Sequence, residues 1–162
     1  METYQEYREK ALKHIMIADH MLVITYPLVN DPKLLLTILE NISESLRCSV
    51  RALLHYELLY KKIDIFQETP EEEMRIFKEE SRAYGISKHY LDVIEQVRGI
   101  LKEHKESPME FARKETFVIC GENYTLKTLS EQLIKTYITK TKEFNQVIST
   151  AIKEIDQRMK AA

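Results

Sequence analysis

Apolar residues recur every three or four positions along most of this chain, and the rhythm divides it into five helical stretches. Tyr4, Tyr7, Ala11, Ile15, Ala18 and Leu22 share one face of a first helix predicted over about Thr3 to Tyr26. Pro27 is expected to stop it, because proline donates no backbone hydrogen bond and restricts the residue before it. Asp31 followed by Pro32 reads as an N-cap and a preset first turn, so a second helix should open there and run to about Lys62. Its core stripe is Leu35, Leu39, Ile42, Leu46, Val50, Leu53 and Leu54, and the additional Leu34, Leu36, Leu58 and Leu59 widen the arc beyond one neighbour. That breadth predicts a central helix.

Punctuation marks the remaining helices. Thr69, Pro70 and Glu72 form a predicted capping box for a third helix, which Gly85 should close as a left-handed C-cap. A fourth begins near Ser87, carries Leu91, Ile94, Val97, Leu101 and His104 on one face, and ends before Pro108. Thr128 and Glu131 predict a second capping box, opening a fifth helix with Leu133, Tyr137, Phe144, Ile148, Ala151 and Ile155 inward. Ser107 to Asn123 does not fit helix periodicity. Within it Phe117 to Cys120, then Gly121 to Asn123, then Tyr124 to Leu126 reads as a small β-hairpin, which would need to pack on the bundle or pair with another chain. The expected fold is all-α, a single up-and-down bundle of about five helices in one domain over 1–162, with a small hairpin near 116–126.

Composition narrows the function classes. The net charge of −2 gives no global field favouring nucleic acid or an anionic membrane. His14 to Val29 is too short and too polar, at Asp19 and His20, to be read as a membrane span. Cys48 and Cys120 stand far apart without CxxC spacing, which suggests reduced thiols and a cytoplasmic location. No Glu precedes any histidine by three residues, and HExxH, P-loop, GxGxxG and GxSxG patterns do not occur. Neither a metal site nor a cofactor is therefore expected.

Two polar features remain. On the second helix Glu40, Glu44, Arg47, Arg51 and His55 are spaced three and four apart, so opposite charges can meet along one line, either as a solvated ladder or as a stripe facing a partner or ligand. On the fourth helix Arg98 is followed six residues later by His104, close in sequence to the basic pair Arg113 and Lys114. Arg8 with His14 and Arg82 with His89 have comparable spacing, but only Arg98 and His104 stand at the end of a late helix beside further cations.

In helix order and in this Arg-x(5)-His pair, the chain resembles the HEPN superfamily. The resemblance covers about residues 3 to 105, and HKESPMEFARKETFVIC is also similar to a segment of uncharacterised archaeal proteins of that shape. It implies a homodimer and two alternatives. One is a non-catalytic interaction module, the partner of a nucleotidyltransferase in some relatives, with the Glu40 to His55 stripe facing the other subunit. The other is a metal-independent ribonuclease in which His104 is the general acid or base, Arg98 stabilises the phosphorane, and Arg113 and Lys114 hold neighbouring phosphates. The leading expectation is the interaction module.

Overall fold

The computed structural model describes residues 2–161, the side chain of Tyr124 excepted. Its helices are α1 (Tyr4–His20), α2 (Tyr26–Val29), α3 (Leu34–Leu59), α4 (Pro70–Ala83), α5 (Lys88–Glu106) and α6 (Glu131–Ala161). Strands β1 (Met109–Arg113), β2 (Thr116–Cys120) and β3 (Leu126–Leu129) lie between α5 and α6. Because a π-helical turn at Met21–Thr25 joins α1 to α2, the two form one continuous rod, and the molecule has five rods around a shared core.

The π turn corrects the expectation that Pro27 ends the first helix. Tyr26 N–H donates to Met21 O, five residues back, and this wider turn carries the backbone through Pro27 to Val29. It also keeps Ala18, Leu22 and Tyr26 buried although they are spaced four apart twice in succession. The rod ends at Asn30, in the left-handed region at φ 52°.

α3 is the central helix, as its wide apolar arc predicts: Leu35, Ile38, Leu39, Leu53 and Leu54 are completely buried, and its neighbours are α1, α4, α5 and α6. It opens with a tight turn in which Leu34 N–H donates to Asp31 O and Asp31 Oδ1 accepts from Lys33 N–H. It closes in a Schellman motif, with Lys62 N–H to Glu57 O, Lys61 N–H to Leu58 O, and Lys61 left-handed at φ 56°. Thr69 caps α4 by accepting from Glu72 N–H, but the expected reciprocal bond is replaced by Glu72 pairing with Arg75. Gly85 takes the left-handed conformation after α4, at φ 66°. The cap of α6 is Ser130, which accepts from Leu133 N–H, and not Thr128, which belongs to β3.

A hairpin is present as β2 and β3, paired antiparallel from Phe117–Leu129 to Cys120–Leu126, but its second strand is Leu126–Leu129 rather than the expected Tyr124 to Leu126, because a 3-10 turn at Glu122–Tyr124 lengthens the connection. The hairpin is part of a three-stranded sheet in the order β1-β2-β3. The chain is thus mostly helical with a small sheet, rather than purely all-α. β1 escapes sequence reading because its burial follows no alternation and its residues are almost all exposed. The sheet is held by its inner face, where Phe117, Ile119 and Leu129 join the bundle core. Gly121 sits where a side chain would meet Thr125 Oγ1 at 2.7 Å, and its N–H donates to Thr125 O to close the β2–β3 connection.

One ionisable group is built into the core. Glu57 has no exposed surface; Tyr84 O–H donates to its Oε2 at 3.0 Å, while Oε1 has no hydrogen-bond partner. Burial first, and then the Glu80 carboxylate, push its carboxyl up to about 8, against smaller opposing effects of Tyr84 and Lys62. The folded value lies above the ordinary one, so this contribution to stability is full below pH 4.5 and is lost as pH rises through about 8. Glu57→Gln keeps an acceptor for Tyr84 and carries no charge. Thermal unfolding should show it close to wild type near pH 5 and exceeding it at pH 9, by on the order of 4 kcal/mol.

Candidate functional site

α3, the start of α4 and α5 enclose an open groove of about 800 Å³ that receives both polar features singled out in the sequence. Glu40, Glu44 and Arg47 reach it from α3, Glu71 from α4, and Arg98 and His104 from α5. Its floor is apolar, made by the buried Leu46, Val50, Met74 and Ile94. Along α5, Lys102 and Lys105 follow Arg98 at four and seven residues, so the three cations share one face. The basic turn Lys102 to Lys105 is visible in the sequence beside His104, but nothing there assigns these two lysines to a site. The groove therefore has a largely cationic wall on α5, where Glu95 is the acidic exception and pairs with Lys78, a largely acidic wall on α3 and α4, and a greasy floor.

The α3 stripe splits in two. Arg51 turns away from its own helix, and its Nε donates to Glu73 Oε1 at 2.8 Å while the guanidinium lies over the Tyr7 ring. Burial pushes the Glu73 carboxyl up, and the facing guanidinium opposes that. His55 is buried against Tyr7 and Phe66, its Nε2 2.8 Å from Glu68 Oε1 but misaligned for a hydrogen bond. These two residues tie α4 and the 60–69 connection to α3 and are spent inside the fold. Only Glu40, Glu44 and Arg47 stay accessible, with Glu44 and Arg47 3.5 Å apart.

Arg98 and His104 line the same groove without forming a pair. α5 is regular α-helix through Gly99. Six residues therefore separate them by about 120° around the axis and about 9 Å along it. Arg98 has one distant carboxylate, Glu71 at 4.0 Å. His104 is about a third exposed, and its Nδ1 stands 2.8 and 2.9 Å from the two oxygens of Glu110 on β1. It is thus neither packed inside nor free. The turn that brings β1 back to α5 is fixed by Ser107, whose Oγ lies 2.6 Å from Cys120 O and 2.7 Å from Met109 O. Glu110 could not be found from sequence, since the contact depends on this turn.

Arg113 and Lys114 occupy the far tip of the β1–β2 hairpin, with Lys114 left-handed at φ 56°. Strand alternation places Arg113 on the opposite sheet face from Glu110 and about 10 Å further along. The four residues expected to handle a phosphate chain are therefore not gathered in one place. Of the thiols, Cys48 is buried and pushed up to about 11 by desolvation, which makes it a poor nucleophile, and Cys120 ends β2 unpaired. Among the described residues no cluster of three or more His, Cys, Asp or Glu could hold a metal ion, and no helix is long and apolar enough to cross a membrane. No family model matches this chain, and neither does any curated protein or solved structure.

Glu73, which lines the groove, is bridged to Arg51, and removing one partner leaves the other charge buried. Arg51→Met should cost about 3 kcal/mol in urea unfolding, whereas Arg51→Met with Glu73→Leu should recover most of that loss.

Proposed function

We propose that this chain is a HEPN-like helical interaction module that acts as a homodimer, with the α3/α4/α5 groove as its partner-binding face. The observation that carries this reading is the groove's composition. Walls of opposite charge over an apolar floor complement a protein segment with both kinds of charge, whereas a nucleic-acid backbone calls for one uniform sign. The separation of Arg98, His104, Arg113 and Lys114 supports the same conclusion. A nucleotidyltransferase subunit, which the HEPN resemblance suggests, is one protein that such a face could take.

The ribonuclease reading has one specific observation in its favour. With Nδ1 of His104 engaged by Glu110, the other ring nitrogen is left available, as a general base requires. The two readings separate in one assay. Single-stranded RNA incubated with the purified protein and a chelator should stay intact, and any RNA binding should be weak at low salt and vanish as salt rises. Cleavage that His104→Ala abolishes would overturn the module in favour of the enzyme. Light scattering should approach twice the 19.2 kDa of one chain as protein concentration rises.

A further inference from the structure

The sheet has a second face that the bundle does not cover. Strand register places Met109, Cys120 and Leu126 in one row, Phe111, Val118 and Thr128 in the next, and Arg113 beside Thr116 in a third. Side chains alternate across a strand, so these rows form the face opposite Phe117, Ile119 and Leu129. Met109, Phe111 and Leu126 are 61, 41 and 63 % exposed, whereas Val118, in the middle, is only 5 % exposed. A shallow depression of about 550 Å³ lies on this face. Tyr26 O–H contacts Glu115 O at the hairpin tip at 3.4 Å, so α2, with its exposed Leu28 and Val29, stands next to it.

Charge is distributed unevenly along the face. Arg113 and Lys114 sit at the tip with Glu115 beside them, and neither cation has a carboxylate within 4.0 Å among the described residues. Glu122, also exposed and without an ion pair, lies at the opposite end, just beyond β2. A two-fold axis lying in the interface can run along the strands, which sets cationic tip on cationic tip, or across them, which exchanges the ends and sets each tip against the other copy's Glu122; charge complementarity selects the second.

We infer that two copies of this chain pair through this outer face, sheet against sheet about an axis near Val118, with Phe111 in the apolar centre and Arg113 meeting Glu122 of the second copy. This rests on the homodimer reading above and names its surface. It leaves the α3/α4/α5 groove open in the dimer. Three strands of about five residues give a footprint on the order of 250 Å², well under the roughly 800 Å² per partner of a standard interface. The dimer should therefore dissociate on dilution, even with the α2 end contributing.

Sedimentation velocity of the full chain over a range of concentrations tests this. Wild type should shift from monomer to dimer with concentration; Phe111→Glu and, separately, Leu126→Glu should weaken the dimer at least tenfold with helical circular dichroism unchanged. Arg113→Glu should also weaken it, and Arg113→Glu combined with Glu122→Arg should restore it. A wild-type dimer indifferent to Phe111→Glu and Leu126→Glu overturns the sheet face and leaves the homodimer standing. A wild type that stays monomeric overturns both and leaves the face to some other partner. Loss with Arg113→Glu that the double variant does not rescue overturns the two-fold register.

Discussion

Burial of α3 on nearly every side is the constraint from which the rest of the architecture follows. Sixteen residues of this helix are buried, too many for one packing partner to cover, so α1, α4, α5 and α6 must all lie against it. The order of the chain and the lengths of its connections then decide which helix takes which side. Several of the polar groups that α3 carries inward are met individually, Glu57 Oε1 and His55 Nε2 being exceptions. Ser45 donates to Ala11 O, Asn145 bridges Ser45 and Ser49, and Arg51 reaches Glu73. A helix so enclosed leaves few exits for polar side chains, which explains why its one accessible polar edge becomes the wall of the groove.

That groove shows how a helix face acquires a chemical character without any motif. Glu40, Glu44 and Arg47 are spaced for salt bridges within their own helix, yet what they line depends on the approach of α5. The cations of α5 are likewise set by simple i, i+4, i+7 spacing. Their juxtaposition is a property of the bundle. His104 marks the boundary between the helical and the sheet parts, because it belongs to α5 and is held by β1.

Much of the helical framework was legible from residues alone, because amphipathic periodicity and the Gly85 cap report forces that act locally. Pro27 misled, since whether a proline stops a helix depends on the turn before it, and nothing in MLVIT announces a π turn. Thr128 misled because Ser130, two positions on, was the better-placed cap. β1 was invisible for lack of a buried side, and with it Glu110. Of the candidate site, Arg98 and His104 could be picked out, but a six-residue spacing on an unbroken helix already contained the reason they do not converge. The fates of Arg51 and His55 were set by α4 and the 60–69 connection, far along the chain.

The π turn between α1 and α2 ties two distant parts of the molecule to one backbone detail. Its extra residue resets the phase of the rod, so that Tyr26 faces inward and reaches Glu115 at the hairpin tip. A chain shorter by one residue in 21–25 would present that ring about 100° away. The hairpin tip thus meets the first rod through a ring whose direction is set five residues earlier in the winding of the helix.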